Sequence, residues 1–156
     1  MKTIRIVDKI ITATLFSVAM FAFSAASVMA ADLALSPSTG SYSVGQTFTV
    51  AVQAVPGGDN VNAVETTLEF DPSVLSVVSI NKDGSAFSLW TTEPAFSNSA
   101  GTITLGGGSP TPFTATSKIL NVTFRTTGEG VGSVTFSGSS VLAADGRGTD
   151  VYKNST

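Results

Sequence analysis

The stretch Asn62–Ile80, NAVETTLEFDPSVLSVVSI, decides the fold class. Val64, Thr66, Leu68 and Phe70 fall on one side of an extended chain, and Ala63, Glu65, Thr67 and Glu69 on the other. A period of two sustained over eight residues is the pattern of a half-buried β-strand. Asp71-Pro72 interrupts it, because proline fixes φ and brings no N–H to a ladder. A second apolar run, Val74–Ile80, follows at once.

Working outward, the same punctuation recurs. Asp32–Leu35 is a short strand stopped by Ser36-Pro37, and Ser41–Gln46 reads as a turn or short edge piece. In Thr47–Val55, Phe48, Val50 and Val52 alternate with Thr49, Ala51 and Gln53. Pro56-Gly57-Gly58-Asp59-Asn60 and Asn81-Lys82-Asp83-Gly84 are turn clusters. Ala86–Ala100 has little period and reads as a loop with one short strand. Thr102–Leu105 is a strand that Gly106–Pro112 is expected to end. Lys118–Thr126 alternates clearly: Leu120, Val122 and Phe124 inward, Ile119, Asn121, Thr123 and Arg125 outward. Gly132–Ser137 is a further strand, and Val141-Leu142 and Val151-Tyr152 flank the loop Asp145–Gly148. No amphipathic helix pattern of ten residues occurs beyond the N-terminal segment. The expectation is an all-β chain, an antiparallel β-sandwich of about nine short strands.

Residues 1–30 read as a secretory signal peptide: basic Lys2, Arg5 and Lys9, an apolar Ile10–Val28, and the cleavage site Val28-Met29-Ala30. The alternative is an uncleaved anchor, since the apolar stretch nears the ~20 residues that span a bilayer. Removing residues 1–30 from 156 leaves 126, one domain able to bury roughly two-thirds of its unfolded surface. The domain is expected over 31–152, with a polar tail at 153–156 and no membrane span in the mature chain. Loss of Lys2, Arg5, Lys9 and Asp8 takes the charge from −3 to −5, which argues against nucleic acid and anionic membranes. The chain has no cysteine, so a secreted form must hold its fold without disulfides.

Catalysis finds little support. There is no histidine or cysteine, and no serine sits in an activating arrangement. Glu65 and Glu69 share a strand face with Cα atoms about 13 Å apart, too far for the usual glycosidase pair. Zinc lacks its ligands. The loop Asp145–Asp150 has two carboxylates but not the spacing of a calcium-binding EF-hand, and reads as a polar hairpin turn. No cofactor is expected. Trp90, the one tryptophan, is weighed as a core residue against a sugar-stacking platform. Asn121-Val122-Thr123 and Asn154-Ser155-Thr156 match the N-glycosylation pattern, which is common by chance.

Several pieces, in order, resemble the cohesin family, whose members are extracellular β-sandwich modules that hold dockerin-bearing partners. They are LSPSTGSYSVGQTFTVAVQAV at Leu35–Val55, FDPSVLSVVSI at Phe70–Ile80, Ala100–Leu105, SKILNVTFRTTGEGVG at Ser117–Gly132, and the closing Ser133–Asp150. The resemblance implies a jelly-roll topology, akin to carbohydrate-binding modules. It also implies a non-catalytic role and a dockerin partner that carries its own calcium. The family receives dockerin on a sheet built from its third, fifth, sixth and eighth strands. With Ser117–Gly132 matched to the eighth, the implied partner-binding residues are Ala63, Glu65, Thr67, Glu69, Thr102, Thr104, Asn121, Thr123 and Arg125. In type I members the third strand carries an Asn and an Asp that bond the dockerin; these places align with Ala63 and Glu65, so the acid is kept in kind and the amide is lost. Two other functions stay open: a direct carbohydrate-binding module acting on polysaccharide, and a general cell-surface adhesion domain. Secreted material is expected to begin at Ala31; mass spectrometry finding residues 1–30 intact would refute the processing site.

Overall fold

A computed structural model describes residues 30–153; the signal-peptide reading and the end of the polar tail lie outside these residues. Every regular element among them is a strand: β1 Asp32–Ser36, β2 Thr47–Val55, β3 Val61–Phe70, β4 Leu75–Asn81, β5 Leu89–Ser97, β6 Thr102–Phe113, β7 Ser117–Thr126 and β8 Val134–Ala143. They form two four-stranded antiparallel sheets, ordered β1-β2-β7-β4 and β5-β6-β3-β8. The chain changes sheet after β2, β3, β4, β6 and β7, so the sandwich is sewn across its core and not folded from simple hairpins.

The strands number eight, where about nine were expected. Val134–Ser137, the larger part of the expected Gly132–Ser137 strand, and Val141-Leu142 belong to one strand, β8, which passes through Gly138 at φ +56°. Glycine alone reaches that conformation without cost, and it marks an irregularity in the β8–β3 pairing. Val151-Tyr152 forms no strand; Tyr152 bridges Ala31, and Lys153 donates its N–H to the Ala31 carbonyl at 2.9 Å.

The core lies between the sheets. Val64, Leu68, Ile103, Leu105 and Val141 come from one side and Val52, Leu120, Val122 and Phe124 from the other, all nearly or wholly buried. Phe124 sits edge-on to Phe70, with ring centres 5.6 Å apart, and is stacked with Phe48 at 5.7 Å. The inward sets expected on β2, β3 and β7 are thus found, except at one position. Ile119, expected outward, is fully buried. Val52 pairs with Leu120 but Gln53 with Lys118, so Ile119 is an extra residue in a β-bulge. A bulge resets the alternation, and two consecutive residues turn inward.

Two further readings change. The Gly106–Pro112 run does not end a strand; β6 continues to Phe113. Its glycines answer close approach: a Cβ on Gly107 would stand 3.2 Å from Phe87 and Trp90 ring atoms, and one on Gly108 3.2 Å from the Ala63 Cβ. The Ala86–Ala100 segment holds a nine-residue strand, β5, whose period is hidden by irregularities at Trp90/Thr92 and Thr92/Ala95. β5 is an edge strand, which is where Pro94 is tolerated.

Phe124→Ala is expected to cost about 3–5 kcal/mol and Ile119→Ala about 2–5 kcal/mol in urea unfolding. A loss within ~0.5 kcal/mol at Ile119, the range of an ordinary surface site, would show that it faces solvent after all.

Candidate functional site

The outward half of β3 fixes the site. With Val64, Leu68 and Phe70 buried, Ala63, Glu65, Thr67 and Glu69 must point away from the core. Because β3 is flanked by β6 and β8, and β6 by β5, these four residues head four rows that run across the sheet. The rows are Leu89–Gly108–Ala63–Leu142, Thr92–Gly106–Glu65–Ser140, Ala95–Thr104–Thr67–Ser137 and Ser97–Thr102–Glu69–Thr135. Successive rows are about 6.8 Å apart along β3. Apart from Leu89 and Leu142 the face carries mostly short side chains, with Glu65 and Glu69 exposed on it.

Ala63, Glu65, Thr67, Glu69, Thr102 and Thr104, expected together, do share this face. Asn121, Thr123 and Arg125 do not. Ser117–Thr126 is the seventh strand and pairs with β2 and β4, so its outward residues lie on the opposite side of the sandwich. There the Thr123 hydroxyl is 3.0 Å from that of Thr49, and Arg125 pairs across from Thr47 and Ser76. Alternation tells which residues of a strand leave the core but not which sheet the strand joins. The strand beside β3 is β8, and its Thr135, Ser137, Ser140 and Leu142 complete the face. Thr135 and Ser137 were readable as outward from the alternation with Val134 and Phe136; their sheet was not. Ser140 and Leu142 lie beyond the irregularity at Gly138, which hid their register.

The other candidates have structural work. Trp90 is half-buried, edge-on to Phe87 with centres 5.7 Å apart, and Lys82 Nζ stands 5.1 Å over its ring. Lys82 also pairs with Glu93 at 2.7 Å. The indole therefore packs against the core. In the acidic loop, Asp145 accepts bonds from the Thr149 hydroxyl and the Arg147 N–H, which hold its carboxyl below the usual value. Asp150 accepts from the Val141 and Tyr152 N–H groups at 3.1 and 2.9 Å. Both carboxylates pin the turn, and among the described residues no three His, Cys, Asp or Glu side chains gather as a metal site. A cleft at one end of the sandwich is lined by Tyr42, but that ring is stacked at 4.0 Å on Phe48 and backed by Gly40.

One family model covers nearly the whole of this sandwich domain. Residues 33–155 match the cohesin domain. The chain belongs to the cohesin family. This cohesin is similar in fold to the sixth cohesin of scaffoldin B from Acetivibrio cellulolyticus, solved with a Cel5 dockerin mutant. The TM-score is 0.63 at 14% identity, covering 80% of this chain and 93% of that one. It is similar also to the cohesin module of a family 33 glycoside hydrolase from Clostridium perfringens, with TM-score 0.63, 12% identity, and 80% and 91% coverage. A non-cellulosomal cohesin from the archaeon Archaeoglobus fulgidus gives TM-score 0.55 at 20% identity, covering 69% and 74%. No curated protein sequence matches the chain.

Trp90→Ala is expected to destabilise the domain by on the order of 2 kcal/mol, less than a fully buried tryptophan would. Neither form is expected to be retained on insoluble cellulose or chitin. Retention of the wild type, lost in a Trp90→Ala protein that still melts cooperatively, would favour the sugar-platform reading instead.

Proposed function

We propose that this cohesin is a secreted, non-catalytic attachment module that holds a dockerin-type partner on the outer face of the β5-β6-β3-β8 sheet. The observation that carries the reading is the face itself. It is a four-strand surface whose six co-facial residues, Ala63, Glu65, Thr67, Glu69, Thr102 and Thr104, were expected from family resemblance to contact dockerin. Family membership and neighbours crystallised with dockerins support it. Four strands about 4.8 Å apart and ten residues long make a surface of the order of the ~800 Å² per partner that a stable complex uses. Asn121, Thr123 and Arg125 take no part, since they lie on the other sheet.

A non-catalytic role fits the chemistry on the face. The two carboxylates sit two rows apart on one strand, with no histidine or cysteine in the chain to act as base or nucleophile. The basic and apolar N-terminal segment supports a location outside the cell. Attachment of proteins that act on polysaccharides is the setting we favour, a reading supported by the glycoside-hydrolase cohesin among its structural neighbours. Calcium belongs to the partner's loops.

Calorimetric titration with dockerin modules from the same genome, in calcium, tests the reading. Thr67→Arg, in the middle of the face, is expected to weaken binding about 100-fold or more, as loss of a central contact does. Thr123→Arg on the opposite sheet is expected to leave it unchanged, and chelation of calcium to abolish it. The reverse pattern for the two arginine variants would move the site to the other face.

A further inference from the structure

One row of the face differs from the other three. Leu89, Gly108, Ala63 and Leu142 lie side by side across β5, β6, β3 and β8, large–small–small–large. Leu89 is 59% exposed, the most exposed of the large apolar residues within the strands. Over the two small residues lies an open depression lined by the two leucines, Pro110 and Glu65. Charge is one-sided here. β3, β5, β6 and β8 carry Glu65, Glu69 and Glu93 but no Lys or Arg. Glu93 is paired with Lys82, whereas Glu65 and Glu69 have no ion-pair partner among the described residues.

We infer that this row is a socket for one large apolar side chain on a basic helix of the partner. A lysine or arginine one turn further along that helix meets Glu65. The spacing fits: residues four apart on a helix advance about 6 Å along its axis, and the Glu65 row lies about 6.8 Å from the socket row. Ala63 then has a positive role. An amide at that position would fill the notch; a methyl leaves it empty. Binding is anchored by an apolar knob flanked by a charge-assisted pair, and Glu69, two rows beyond Glu65, favours a second cation further along the helix. The inference rests on the outer face being the partner-binding surface.

The test uses residues 31–156 with labelled leucine and alanine methyls and two probes. One is the set of dockerin modules from the same genome. The other is a synthetic eighteen-residue stapled helix bearing one Leu with Arg four residues later, against control peptides with Leu→Ala or Arg→Glu. Both probes are expected to shift the Leu89, Leu142 and Ala63 methyl signals, and each peptide control to bind at least about tenfold more weakly. Leu89→Ser and Ala63→Trp, both at solvent-facing positions, are expected to lower dockerin affinity at least about tenfold with the melting temperature retained. Dockerin binding lost on Thr67→Arg but kept within about twofold on Leu89→Ser and Ala63→Trp overturns the socket and leaves the attachment reading standing. No dockerin binding, with peptide-induced shifts that vanish for the Leu→Ala peptide, overturns the dockerin reading and supports the socket. Silence from both probes overturns both.

Discussion

The burial of alternate β3 residues against β7 is the contact on which the remainder of the structure hangs. Leu68 and Phe70 project from one sheet, Val122 and Phe124 from the other, and the Phe70 and Phe124 rings meet edge to face. With no cysteine in the chain, no disulfide supports this contact. The period of two makes it binding on both sides of the sheet: a slip of one residue would place Glu65 and Glu69 in the core. The one buried polar residue on β3, Thr66, is satisfied by the Ser139 hydroxyl at 2.6 Å, so β8 is locked to β3 by a core hydrogen bond as well as by its ladder.

The candidate face is therefore the other side of the core. Loops contribute little to it; its rows are set by pairing register. That gives a flat, pre-ordered surface, which suits docking of a helix better than enclosure of a small substrate. Close approach of strands explains its texture. Gly107 and Gly108 leave no room for a Cβ against Phe87, Trp90 and Ala63. Gly107 faces the core, whereas Gly108, beside Leu89 and Ala63, adds no side chain to the outer face. The opposite sheet presents a different chemistry, with Arg125 and the Thr49–Thr123 hydroxyl pair. The two outer faces of one sandwich are not interchangeable.

What the sequence by itself determined is the set of local choices. Alternation in β2, β3 and most of β7 identified the buried residues. Asp71-Pro72 marked a strand end, where Asp71 accepts bonds from the Ser73 hydroxyl and N–H and so ionises below its usual range. The outward set on β3 and the threonines of β6 followed from the same arithmetic. Irregularities defeated it. The extra residue at Ile119 and the kink at Gly138 each shift the register by a residue, and the two irregularities of β5 shift it by two. Nothing in composition distinguishes a glycine that turns a chain from one that lets another strand pass.

Only the tertiary structure decided which strands are neighbours. Hydrogen bonds between strands join residues far apart in sequence, and each outward side chain looks the same from its own strand whichever sheet it belongs to. β7 and β8 have similar alternating patterns, yet β7 pairs with β2 and β4 while β8 pairs with β3. That choice takes Asn121, Thr123 and Arg125 off the candidate face and puts Thr135, Ser137, Ser140 and Leu142 on it. It also sets Leu89 and Leu142, 53 positions apart in the chain, at the two ends of one row, a recess that exists only because four separate segments meet there.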